Sequence, residues 1–386
     1  MAAALEFLEA QGATQPELAE WYAALADLYQ RKLWHQLTLK LEQFLALAVV
    51  QAGDALIHLY NHFISDFETK ISLLKFAHFT VVVSHQYLDK NAGINYLEGV
   101  ISKLRDTRES RVEEPILYVK MQIATFLLEK GNQKDCKNLL EEGKTTLDSM
   151  VDVDPSVHGT YYWVCSQYHK ARQEYSEFYK SCLLYLAYTT VSLLLQFLIN
   201  LALDLSLAAL LGENIYNFGE LLAHPIIHSL LGTQAEWIFH MLQAFNSGNL
   251  SLYQEICKAH SNALSAQLAL VQNERNLLEK INMLCLMEII FSRSSENRTI
   301  PMRDIAEQTK LPVEDVEYLL MKSLSARLIE GIIDQVDGVV HVSRVKPRVL
   351  GIDQVKCLHD RLDTWIGKVD TILLSVEAET PDLVSS

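Results

Sequence analysis

What most limits the folds open to this chain is the spacing of its large apolar residues, which recur with the period of an amphipathic helix. Leu18, Trp21 or Tyr22, Leu25 and Leu28 or Tyr29 fall on one stripe, and Leu33, Leu37, Leu41 and Leu45 repeat it. Three-and-four spacing places side chains on one helical face, and that face needs a neighbour to cover it. Only 15 glycines and 8 prolines interrupt 386 residues, so little in the sequence breaks helices. A chain of this length exceeds one compact core, and several domains or a stack of helices is expected.

The stack reading is supported by a weak internal repeat. "ILYVKMQIATFLLEKGNQKDCKNLLEEGKTTL" from Ile116 and "GTYYWVCSQYHKARQEYSEFYKSCLLYL" from Gly159 both read as helix, polar turn, helix. Gly131-Asn132 and Ala171-Arg172 hold comparable turn positions, and Asp154-Pro155 reads as a helix cap and first turn between the repeats. The step of about forty residues is that of a helical-repeat solenoid, TPR-like in architecture only. Residues 1–174 are assigned to it. Further helices follow over 175–295, including a pair turning at Gly248 and an amphipathic helix from Asn273. Leu183–Leu203 carries no charge and is long enough to span a bilayer. Thr189, Thr190, Ser192, Gln196 and Asn200 interrupt it and no basic cluster follows, so it reads as a buried helix.

After "RSSENRT" the period changes. Met302–Thr309 predicts a helix burying Ile305 and Ala306, Lys310-Leu311 a turn, and Pro312 the start of a second helix. Val313, Val316, Leu319, Leu320 and Leu324 form that helix's expected buried stripe. "LIEGIIDQVDGVVHVSRV" then reads as two strands joined at Asp337-Gly338, a strong hairpin signal. Leu328, Ile332, Ile333, Val340 and Val342 are expected to supply the apolar face. Helix-turn-helix plus hairpin is a winged helix.

Charge decides how that wing is used. The chain holds 33 Lys plus Arg against 48 Asp plus Glu, a net charge of −15. A recognition helix presents its first turns to phosphates, yet these turns carry Glu314, Asp315 and Glu317 with only Lys322 opposing them. Direct nucleic-acid binding is therefore disfavoured, and a protein–protein wedge is the better reading. The basic trio Arg344, Lys346 and Arg348 lies after the wing and is available to an acidic partner.

Helical repeats running into "EWIFHMLQAFNSGNL", "LLEKINMLCLMEIIFS" and a non-basic wing with "SLSARLIEGIIDQVDGVVHV" resemble the PCI domain, which is shared by the proteasome lid, the signalosome and translation initiation factor three. "LIEGIIDQ" (Leu328–Gln335) carries most of the likeness. Lys32–Phe44, Gly212–Ile226, Ala244–Leu250 and Lys346–Gly351 extend it over nearly the whole chain to the PCI-domain lid subunits of the 26S proteasome. Ser192–Leu203 departs from the pattern, where a more charged amphipathic helix is expected.

The resemblance implies a mainly α fold: a helical-repeat region (1–174), a PCI domain (175–346, with the winged helix at 296–346) and a C-terminal bundle helix with a flexible tail (347–386). It implies a non-catalytic scaffold of the lid, in cytoplasm and nucleus, serving degradation of ubiquitinated proteins. The partners implied are other lid subunits in an obligate hetero-oligomer, without nucleic acid or membrane. The alternative is a PCI subunit of another complex: the signalosome, initiation factor three, or an RNA-export adaptor. Candidate contact residues are Ile332, Ile333, Val340, Val342 and Arg344 on the wing, where strand edges extend one another. Others lie on the last helix, where Val355, Leu358, Leu362, Trp365, Val369 and Ile372 alternate threes and fours.

No motif for chemistry appears. Gly143-Lys144-Thr145 lacks the upstream glycine of a phosphate loop, and no HExxH or dinucleotide fingerprint occurs. His58 and His62 share a helix face, and His224 and His228 share the spacing across Pro225, but neither pair has an evident third ligand. Six dispersed cysteines without a CxxC pair read as reduced and buried. No catalytic residue, cofactor or metal is expected.

Overall fold

The computed structural model describes residues 2–51, 53–107, 111–189, 195–293, 298–349 and 352–379. It divides into two compact units, Met1–Ser192 and Leu193–Ser386.

The first unit is helical among its described residues. Ala19–Gln30 buries Tyr22, Leu25 and Tyr29, and Trp34–Leu45 buries Leu37, Leu41 and Leu45. Leu33, counted on the second stripe, instead sits exposed in the turn, because Lys32 takes a left-handed conformation (φ 55°) and ends the preceding helix. The repeat region follows as Glu113–Glu129, Gln133–Ser149, Pro155–Ala171 and Tyr175–Tyr188. Two of these helices start on side-chain caps, one at the turn residue Asn132 and one at the expected Asp154. Asn132 accepts from the Asp135 N–H, and Asp154 accepts from the Ser156 N–H at 2.9 Å. Such caps satisfy backbone donors that have no intrahelical partner.

The apolar run Leu183–Leu203 is not one helix. The first helix ends at Tyr188, Thr189 is extended, and a second helix spans Leu195–Leu211. Residues 190–194 lie outside the described set. Only the later part of the second helix is buried, through Leu201, Leu205, Ala208 and Ala209, whereas Leu195 is exposed. Among the described residues no helix is long and apolar enough to cross a membrane.

The second unit is organised around Glu274–Ser292. Its sequence reads as amphipathic, yet from Lys280 to Ile290 it is buried almost all round. Helices Leu195–Leu211, Glu236–Ser247, Leu250–Ala259, Met302–Thr309 and Val313–Ser325 all pack on it. This draws Lys280 inside. Its Nζ donates to the carbonyls of Ala209 (2.7 Å), Leu210 (3.1 Å) and Gly212 (2.9 Å). Ala209 and Leu210 lie in the last turn of the Leu195–Leu211 helix, whose carbonyls lack intrahelical donors, and Gly212 follows it.

The winged helix follows the expected order with one addition. Helices Met302–Thr309 and Val313–Ser325 flank a left-handed Lys310 (φ 55°). Val313, assigned to the buried stripe, is exposed at the first position of its helix, and Ser323 is buried instead. Three strands form an antiparallel sheet in the order β1 (Thr299–Pro301), β3 (Val339–Val345), β2 (Ile329–Asp334). β1 was too short to show a period of two in the sequence, and it makes β3 the central strand.

Candidate protein-partner interface

The wing positions its candidate residues through that sheet. On central β3, Val340 and Val342 face inward and are buried in the wing's own core. On edge strand β2, Ile332 is 72% exposed and Ile333 is half-buried. Ile332 was expected on the apolar face. A β-bulge between Glu330 and Gly331 shifts the register, so that Ile332 pairs with exposed His341 and Ile333 with buried Val340. Gly331 fits the bulge because an added Cβ would lie 2.3 Å from the His341 carbonyl oxygen. Gly331–Asp334 is thus the regular part of an open sheet edge.

The basic trio divides in two. Arg344 is exposed and only loosely paired with Glu330 at 3.7 Å, and Lys346 is exposed as well. Arg348 is taken up internally: its Nη2 meets Glu288 at 2.5 Å and its Nη1 donates to the Asn246 carbonyl at 3.2 Å. It ties the segment after the wing to the central helices and is not available to a partner.

The last helix runs from Ile352 to Glu379. Val355, Leu358, Leu362, Trp365, Val369 and Ile372 all stand exposed, from 44% for Val369 to 63% for Ile372. Ile366 and Leu373, missed in the sequence because they fall outside the strict seam, are exposed beside them. At 100° per residue the stripe then covers about 120°, wider than a two-stranded coiled-coil seam and typical of a helix facing a core.

The expected absence of chemistry can be set against local geometry. His58 Nε2 meets Asp54 at 3.4 Å and its ring stacks near His62, while His224 accepts from the Ile226 N–H as a helix cap. Among the described residues no group of three His, Cys, Asp or Glu could hold a metal ion. Cys136, Cys165, Cys182 and Cys285 are buried. Burial pushes the thiols of Cys136, Cys165 and Cys285 up to about 11, away from nucleophilic use.

Two families match the chain: PSD13 N-terminal repeats over residues 21–242 and the PCI domain over residues 257–344. Over its full length the chain is 68% identical to the 26S proteasome non-ATPase regulatory subunit 13 homolog B of Arabidopsis thaliana, covering all of both chains. It is 67% identical to homolog A of the same plant, again over both whole chains. The chain belongs to the family of 26S proteasome non-ATPase regulatory subunit 13. The likeness persists at 35% identity to the Dictyostelium discoideum subunit, over 99% of this chain and 98% of that one. The mainly helical fold, the PCI wing with its three-stranded sheet and the C-terminal helix are therefore features of a regulatory-subunit family.

Proposed function

We propose that this chain is a non-catalytic scaffold of the lid of the 26S proteasome regulatory particle, supporting ATP-dependent degradation of ubiquitinated proteins in cytoplasm and nucleus. Full-length likeness to proteasome regulatory subunits supports the complex. The observation that carries the mode of assembly is the broad, uncovered apolar stripe of Ile352–Glu379. Burying each such side chain contributes on the order of 1–3 kcal/mol, so the helix gains stability on entering a bundle with helices of other subunits. The open β2 edge around Ile332 and Ile333, with Arg344 beside it, is the proposed contact between neighbouring wings, where Val340 and Val342 support the sheet from behind. Residues 1–174 act as the helical-repeat arm, 175–346 as the PCI domain and 347–386 as bundle helix and tail. A PCI subunit of the signalosome, of initiation factor three or of an RNA-export complex is less well supported, since the full-length likeness is to proteasome subunits.

The test is affinity purification of tagged chains from cells, with partners quantified by mass spectrometry. The natural chain is expected to bring down regulatory-particle subunits in equal amounts. Leu362→Glu combined with Trp365→Glu is expected to lower their recovery at least tenfold, with the helical circular-dichroism signal unchanged. Recovery of signalosome or initiation-factor subunits instead, or undiminished recovery with the double variant, would sink the reading.

A further inference from the structure

Among its described residues the acidic chain contains a concentrated basic cavity. It encloses about 380 Å³ beside the wing, within the size range of ligand sites. Arg293, Arg298, Arg344, Lys346, Arg348 and Arg361 line it, and none of its described lining residues is acidic. In a protein of net charge −15 this is a local reversal of sign. Arg344, Lys346 and Pro347 also line a second concavity of about 250 Å³ that reaches Arg327 and the start of β2. The two adjoin along those three residues as one groove, in which Glu330 is the single acid among the described lining residues.

Part of that charge is already answered. Arg348 is paired with Glu288, Arg293 with Asp304 at 2.9 Å, and one Arg298 Nη donates to the Ser343 carbonyl at 3.0 Å. The remainder is available. Among the described residues the side chains of Lys346 and Arg361 have no ion pair or hydrogen bond, that of Arg344 has only its loose contact with Glu330, and the buried Arg298 Nε has no acceptor. The cavity is also apolar in part. Phe291 and Val349 line it and are each 44% exposed, over a floor of buried Met287 and Ile290.

We infer that this groove binds an acidic peptide segment with a large apolar side chain, supplied by another protein. The unsatisfied guanidinium and ammonium groups select carboxylates, and arginine is suited to hold them bidentately. The exposed Phe291 and Val349 select an apolar anchor between those carboxylates. A compact polyanion would answer the charges and leave the apolar surface uncovered. Assembly into a larger complex, as proposed above, concerns only the source of the segment; the recognition belongs to the chain itself.

The test uses the purified full chain and a fluorescein-labelled acidic peptide with one phenylalanine among aspartates and glutamates, followed by anisotropy. Saturable binding is expected, weakening at least tenfold in the Lys346→Glu, Arg361→Glu double variant and at least threefold in Phe291→Ser. Both sets of positions are solvent-accessible, and helical circular dichroism reports whether each variant is folded. Replacing the peptide's phenylalanine with glycine is expected to weaken binding as Phe291→Ser does. Absence of binding, indifference to the double variant, or indifference to both phenylalanines overturns the inference. So does tighter binding of tripolyphosphate or of single-stranded RNA at the same residues. Because no other subunit is present, failure here leaves the purification test of lid assembly untouched.

Discussion

Lys280→Met is expected to lower the unfolding free energy by about 2–4 kcal/mol at neutral pH, seen as an earlier midpoint in denaturant. The cost comes from the carbonyls of Ala209, Leu210 and Gly212, which lose their shared donor while still buried. A buried acceptor left without a partner costs about 1–3 kcal/mol. Three do not simply add, since the methionine variant is also relieved of burying a cation. Phe218 and Tyr216 rings face the same ammonium at 5.2 and 5.7 Å and lose that contact too. The effect carries a pH signature. Burial draws the Lys280 pKa from 10.5 down to about 7. Between those values the unfolded chain binds the proton and the folded one does not, so this group's stabilisation grows as pH rises and is lost as pH falls through about 7. The gap between natural and variant proteins should widen from pH 7 to pH 9 by on the order of 1 kcal/mol per unit. A gap independent of pH would show that the lysine stays charged throughout.

Lys280 also shows where the sequence stops being readable. In "NERNLLEKINML" it looks like one more solvated charge on an amphipathic helix, because periodicity reports a stripe and not how many neighbours surround it. The packing of those five helices on Glu274–Ser292 is a tertiary fact. The cap and first turn at Asp154-Pro155 and the apolar stripe of Met302–Thr309 were legible, since local chemistry sets them. The two-strand hairpin was legible through Asp337-Gly338, but β1 was not, having only three residues, and the bulge that turns Ile332 outward depends on pairing. The seam from Val355 to Ile372 was visible because it repeats over several turns. The basic groove was half visible. Arg344 and Lys346 stand close together in sequence, whereas Phe291, Arg298 and Arg361 reach the same cavity only through folding.

Gly248→Ala is expected to destabilise the second unit by about 2–5 kcal/mol, a large effect for the addition of one methyl group. Gly248 closes the Glu236–Ser247 helix at φ 62°, a left-handed conformation that costs an L-residue about 1–2 kcal/mol. It also sits against the backbone of the central helix. A Cβ there would lie 2.8 Å from Cys285 Cα and 2.9 Å from both Cys285 N and the Leu284 carbonyl oxygen. Backbone inside a packed helix cannot rotate away as a side chain would, and overpacking of this kind costs about 1–3 kcal/mol more. Gly232 separates the two causes. It has a similar φ of 74° but nothing within 4 Å of an added Cβ. Gly232→Ala should therefore show only the conformational cost. The difference between the two variants in chemical denaturation then measures how tightly the Gly248 turn is pressed on the Glu274–Ser292 helix. Equal losses would mean that the helix yields and that the turn is not a fixed point of the PCI core. A larger loss at Gly248 would identify the close approach as the reason a glycine is needed between "AFNS" and "NLSLYQEI". Asn249 adds to that need: its side chain accepts from the Leu252 N–H at 3.1 Å and starts the next helix immediately after the turn.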